Sequence, residues 1–202
     1  MMKVPVAKKA IQARGICILA ALVCLNLPAE HRELVEGNPA SPVKVVIYED
    51  LQCGDCLNFR MLLDAKLLPK YGARVAFLHR DFPLPRHDWA RPAAVAARWV
   101  QEQNPGLAIV FRREIMSEQN HITTGNLKPW IMEFAVRNGL DPNGILHALE
   151  DPRLNAMVDQ DYQGGVARGL TRTPTVIVGG QKLVETILYD DVARALDTEL
   201  AR

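Results

Sequence analysis

Two cysteines set two residues apart, Cys53-Gly54-Asp55-Cys56, follow an apolar, β-branched run at 43–48, and a helix-patterned stretch begins right after them. A strand that delivers a CxxC pair to the first turn of a helix has the geometry of a thiol–disulfide exchange site. In that geometry Cys53 sits at the helix N-terminus. Unpaired backbone N–H groups and the positive end of the helix dipole there favour thiolate over thiol. Cys53 is therefore the expected attacking residue, and Cys56, one turn further in, the resolving residue. Gly54 leaves room for a substrate chain to approach. Asp55 acts in two directions. Its carboxylate opposes a neighbouring thiolate, yet an acidic residue suits a first helical turn. The first effect is expected to raise the Cys53 pKa and make the site less oxidising than one with a neutral or cationic residue there.

Other uses of a CxxC need further ligands. A zinc half-site requires two more, normally a second CxxC or a His pair. The remaining cysteines, Cys17 and Cys24, lie in an apolar leader, and His31, His79, His87, His121 and His147 form no paired spacing. A carrier of a soft ion such as Cu(I) would need a third soft or imidazole ligand, and no Met or His motif adjoins the pair. A folding chaperone with an incidental redox site is a further alternative. No cofactor and no resident metal are expected. His79 and His87 can be read as metal or acid–base residues, but His87 fits better as the start of a helix. Asp50 reads equally as a proton relay to Cys56 or as a turn-forming carboxylate.

The elements that must position the pair are legible in outline. Residues 43–48 read as a strand covered on both faces. Residues 57–68 read as a helix with Phe59, Leu62, Leu63 and Leu67 on one stripe with Cys56, ended by Pro69 and Gly72. Residues 74–79 read as a second strand. Residues 87–168 carry helical patterns and no credible strand. Within them lie an alanine-rich helix at 87–104, helices at 107–118 and 127–138, and two starts at Asp141-Pro142 and Asp151-Pro152. Trp99 and Trp130 read as core, and the charged residues of this block as a solvated face. Thr175–Val178 and Gln181–Val184 read as a hairpin about Gly179-Gly180, and 190–200 as a closing helix.

At 202 residues, 49% hydrophobic and 23% charged, the chain is of the globular class and long enough for a full core. Residues 1–14 are basic (Lys3, Lys8, Lys9, Arg14), 15–27 are apolar and uncharged, and Pro28-Ala29 precede a charged run. This is the order of a secretory signal, with an apolar part short of the ~20 residues that span a bilayer. Residues 1–29 are thus expected to be a signal peptide cut after Ala29, or an N-terminal membrane anchor. A buried N-terminal helix fits the basic flank less well. Setting the four leader cations aside leaves 20 basic and 23 acidic side chains, a balance that gives no support for a nucleic-acid partner. It also leaves only Cys53 and Cys56, with no spare partner for a structural disulfide. Export would put the pair in an oxidising compartment, so a periplasmic or otherwise extracytoplasmic location is expected. Residues 30–42, polar and broken by Gly37, Pro39 and Pro42, read as a linker.

Three stretches together, YEDLQCGDCLNF, RDFPLPRH and GLTRTPTVIVGG, resemble the DsbA-like branch of the thioredoxin superfamily. The resemblance implies an α/β fold: a thioredoxin fold with an inserted all-helical domain. Its first half would be 43–86, the insertion 87–168 and the second half 169–202. It implies protein disulfide oxidoreductase activity through Cys53 and Cys56, with oxidase slightly favoured over reductase or isomerase. It implies partners of two kinds: protein substrates with cysteines, and a membrane or soluble redox partner. Pro174 matches the proline that in this superfamily is cis and faces the cysteines, and Thr173 matches the substrate-binding residue before it. Taken alone, Thr173-Pro174 also fits an ordinary trans proline at a strand start. Asp50, Gly54 and Asp55 would tune the redox pair. Relatives carry proline, or an aromatic and histidine, where this chain has Gly54-Asp55. The buried acid that some relatives place six residues before the first cysteine is here Ile47.

Overall fold

The computed structural model describes Met1, Met2 and residues 33–202, and the chain divides into two compact units, Met1–Glu30 and His31–Arg202. The leader read at 1–29, with its cleavage or anchoring, lies outside the described residues apart from Met1 and Met2. Among the described residues no helix is long and apolar enough to cross a membrane.

In the second unit a five-stranded sheet has the order β1 (Leu34–Gly37), β3 (Ala76–Asp81), β2 (Lys44–Glu49), β4 (Thr175–Val178), β5 (Gln181–Val184). The central strand β2 runs parallel to β3 and antiparallel to β4. Its side chains alternate as a pleat requires. Val45 and Ile47 pack with Phe59, Leu63, Phe77 and Val176, whereas Tyr48 and Val46 pack with Phe82 and Leu170. With both faces covered, the strand needs apolar residues almost throughout.

A parallel β2–β3 pair needs a crossover, and it is helical: α1 (Gly54–Leu62), a π-helical turn (Leu63–Leu67), then α2 (Leu68–Tyr71). The expected stop at Pro69 is instead a passage through it. Proline has no N–H to give back to the preceding turn. Just before it the helix widens, with the Leu68 N–H bonded to the Leu63 carbonyl. Pro69 then falls in the first turn of α2, where a missing donor is tolerated.

The stretch 30–42 is more than a linker, because it contains β1, an edge strand antiparallel to β3. Only Leu34 of its four residues is buried, too little for a period to show in sequence. Gly37 ends it at φ +82, where a Cβ would meet the Val75 carbonyl.

Between β3 and β4 lie α3 (Ala90–Gln103), α4 (Pro105–Ser117), α5 (Leu127–Arg137), α6 (Pro142–Ala148) and α7 (Pro152–Ala167), and α8 (Tyr189–Leu200) closes the unit. Asp141 and Asp151 cap α6 and α7 by accepting from the Asn143 and Arg153 N–H groups, as the Asp-Pro pairs predict. Both turn glycines of the β4–β5 hairpin have positive φ, 53 at Gly179 and 88 at Gly180, as tight hairpin turns demand. The charged residues of the helical block are not all solvated. Arg98 and Arg112 are among the most deeply buried side chains of the chain. Trp130 does pack as core, stacked on Phe134 and edge-on to Phe111.

Candidate active site

Cys53 is the N-cap of α1, in extended backbone with φ −85 and ψ 124, and its side chain makes no capping hydrogen bond. The backbone N–H groups of Asp55 and Cys56, donors that a helix start leaves unpaired, favour charge on the sulfur. Both cysteines are free thiols, Cys53 5% and Cys56 1% exposed. Helices of the insertion cover them, and they share a cluster with Trp89, Phe111 and Met116. The Thr173–Pro174 bond is cis, and the Thr173 carbonyl oxygen lies 3.4 Å from Cys53 Sγ. The structure thus brings Cys53, Cys56, Thr173 and Pro174 together.

The two thiols are pushed apart in acidity. A hydrogen bond from the Cys56 thiol is the largest influence on Cys53 and favours its thiolate. Burial opposes this, but Thr173 and the two backbone N–H groups add to it, and the Cys53 pKa falls to about 6. Cys56 is raised well above the ordinary thiol value, by burial first and then by the Cys53 charge it faces. The Asp55 carboxylate does not keep the Cys53 pKa from falling below the ordinary thiol value. The Asp55 side chain is exposed at the rim, and the residue acts on the sulfur through its N–H. Gly54 is exposed too, and a Cβ there would meet nothing within 4 Å, so this side is open to an approaching chain. The Thr173 hydroxyl is buried and otherwise unpartnered, which leaves it to a Cys53 thiolate. Thr173→Val should therefore move the midpoint of Cys53 alkylation upward from about 6 by about one pH unit, the worth of one hydrogen bond to a charged group. An unmoved midpoint would show that the hydroxyl plays no part.

Asp50 proves to be a buried hub. Its Oδ1 accepts from the Gln52 N–H at 2.7 Å, and its Oδ2 accepts from the Leu84 N–H at 2.7 Å and from His87 Nδ1 at 2.8 Å. Its own N–H points to Cys56 Sγ at 3.3 Å. Burial raises its pKa despite these donors. The carboxylate therefore forms the turn and also ties the CxxC loop to the loop before α3.

Glu49, an acid nearer the cysteines than Ile47, carried no assigned role from sequence. It lies two residues after Ile47, on the same face of β2, and is buried. Arg112 Nη1 donates to it at 2.9 Å, and His79 Nδ1 lies 2.9 Å away. His79 Nε2 lies 2.9 Å from Glu36, which also pairs with Arg60 and Arg113. Burial works against charge on His79, but the two carboxylates outweigh it and raise its pKa. The acid lacking at Ile47 is thus supplied two positions along the strand, and its negative charge further raises Cys56.

A recess of about 410 Å³ opens beside the pair, lined by Cys53, Gly54, Asp55, Arg86, His87 and Asn120 among others. Among the described residues no group of three or more His, Cys, Asp or Glu side chains is arranged to hold a metal.

A five-stranded mixed sheet split by helices, with a dithiol at a helix start facing a cis proline, defines a thioredoxin fold with a helical insertion. Residues 30–198 match the family described as thioredoxin, and the chain belongs to it. Among solved structures it resembles BdbD from Bacillus subtilis, at 20% identity and a TM-score of 0.72, covering 84% of this chain and 94% of that one. It also resembles the thiol-disulfide exchange protein alpha-DsbA2 from Wolbachia pipientis, at 20% identity and a TM-score of 0.69, covering 82% and 86%. These likenesses show the same fold. In sequence it is 27% identical over 152 residues to a Na(+)/H(+) antiporter NhaA from Herminiimonas arsenicoxydans, 74% of this chain and 22% of that protein. The chain spans about a quarter of the length of the curated relatives it matches.

Proposed function

We propose that the protein is a thiol:disulfide oxidoreductase that exchanges disulfides with protein cysteines through Cys53 and Cys56, and that it works outside the cytosol as a disulfide donor. The opposite displacement of the two thiols carries this reading: Cys53 held down to about 6, Cys56 kept protonated beside it. In the oxidised protein a substrate thiolate attacks Cys53 Sγ. The Cys53–Cys56 bond breaks, and Cys56 leaves as a thiolate. A second substrate thiolate then attacks the substrate sulfur of the mixed disulfide and releases Cys53, whose low pKa makes it a good leaving group. Stabilising the Cys53 thiolate stabilises the reduced protein, which drives disulfide donation. The Thr173 backbone, beside Cys53, offers an extended substrate chain a strand-like partner. DsbA-type thiol-disulfide exchange proteins share the fold, and the signal-like leader supports export. A membrane or soluble partner would reoxidise the pair.

The carrier reading for a soft ion needs a third ligand beside the pair, and among the described residues no group of three or more His, Cys, Asp or Glu side chains is arranged to supply it. The reduction potential, measured by equilibration with glutathione buffers, is expected well above the about −270 mV of thioredoxin. A value at or below that would make the protein a reductase and overturn the donor direction.

A further inference from the structure

We propose that His87, oriented by Asp50, is the acid–base residue of the exchange. It takes the proton of an incoming substrate thiol in the recess beside Cys53, and returns one to a departing substrate thiolate. This rests on the oxidoreductase reading above. The Asp50 carboxylate, fixed by the Gln52 and Leu84 N–H groups, accepts from His87 Nδ1 at 2.8 Å. A carboxylate that takes the Nδ1 proton fixes the ring tautomer and leaves a lone pair on Nε2. That Nε2 has no protein partner among the described residues, although the side chain is only 17% exposed. The imidazole forms part of the wall of the recess into which Cys53 opens, and of an adjoining one lined by Pro83, Leu84 and Asp88.

The charged groups around the ring are few. Asp50 stands behind it. Asp55 of α1 and the neighbouring Arg86 face the first recess, and Asp88, Arg91 of α3 and Asp159 of α7 face the second. Of these, Arg91 and Asp159 pair with each other. A neutral imidazole accepts a proton at its free ring nitrogen and the cation gives one back, which suits it to move a proton either way.

In the forward step the substrate S–H proton passes to His87 Nε2 while the substrate sulfur bonds to Cys53 Sγ. The Cys53–Cys56 bond breaks, and its electron pair stays on Cys56 Sγ, at which the Asp50 N–H is aimed. In the reverse step Cys56 attacks Cys53. The substrate sulfur leaves with the bonding pair and takes the proton from the imidazolium.

The test is the pH profile of peptide oxidation by the oxidised protein, followed by stopped flow with a cysteine peptide of ordinary thiol pKa. Wild type, His87→Asn and His87→Gln are compared. Asparagine can place an N–H where Nδ1 stands, keeping the tie to Asp50 without a base. Both variants are expected to be about 10-fold or more slower near pH 7 and to converge with wild type above about pH 9, where the peptide thiol ionises unaided. The Cys53 alkylation midpoint should stay where wild type has it. If His87→Asn keeps the wild-type rate at every pH, His87 is only a tether for Asp50 and the proposal fails. A loss equal at every pH also overturns it. A wild type that exchanges no disulfide at all would sink the oxidoreductase reading itself, an outcome distinct from both.

Discussion

Arg112→Ala is expected to lower the stability of the protein by about 3–5 kcal/mol, because it strips the partner from charges that cannot reach water. Arg112 is 1% exposed. One arm donates to Glu49 and the other to Asp81, while Arg98 binds Asp81 and Asp161. The group joins β2 and β3 of the sheet to α3, α4 and α7 of the insertion. Its removal leaves Glu49 to His79 and Asp81 to Arg98, each short of one cation. Asp81 also sets a pH window. Burial alone would raise its pKa, but Arg112 and Arg98 hold it at about 2. A folded value below the unfolded one gives stability that is complete above the ordinary carboxylate range and lost as pH falls toward 2. Urea denaturation at neutral pH and down an acid series would check both effects. A loss under about 1 kcal/mol would show the network to be dispensable. Replacing Arg112 and Glu49 together by apolar residues of similar shape should cost less than Arg112→Ala alone.

Cys53→Ser is expected to abolish disulfide exchange, whereas Cys56→Ser should accumulate mixed disulfides, since the resolving thiol is gone. In the reduced wild type, iodoacetamide should modify Cys53 with a midpoint of about 6 and leave Cys56 untouched. The sign for stability follows from the same displacement. The folded Cys53 pKa lies below that of an unfolded thiol. Its contribution to the reduced form is therefore complete above the ordinary thiol pKa and lost as pH falls toward 6. The reduced form should gain on the oxidised form as pH rises through that window. Thermal melts of both forms at several pH values read this directly, and a reduced form that loses ground to the oxidised form as pH rises would contradict the assignment of the low pKa to Cys53.

The parts of this molecule that local chemistry dictates were legible from sequence. They include the apolar run of β2, the CxxC at a helix start, the two Asp-Pro caps and the Gly-Gly hairpin. What escaped depends on residues far apart in the chain. Asp50 meets His87 across 37 residues, and Arg112 meets Glu49 across 63, so neither pair has a spacing to recognise. β1 escaped because a four-residue edge strand with one buried position has no period. A signal for the buried arginines did exist. Arg112 lies four residues from both Ala108 and Met116, and Arg98 four from Ala94, all buried. A cation on an apolar stripe marks a charge that must find its partner inside. The role of the Glu49 carboxylate, two positions beyond Ile47, could have been read by following the strand face rather than the aligned position.

The 120 residues between Cys53 and Thr173 have a consequence for biosynthesis. The dithiol emerges with the first half of the sheet, but the segment that faces it arrives only after five helices have been made. At ordinary elongation rates that interval is on the order of ten seconds. During it β2 has no β4 beside it and offers a bare edge, and the cysteines meet the surroundings without the wall that will later select their partners. A chain stopped at the end of α7 would carry both sulfurs and no site.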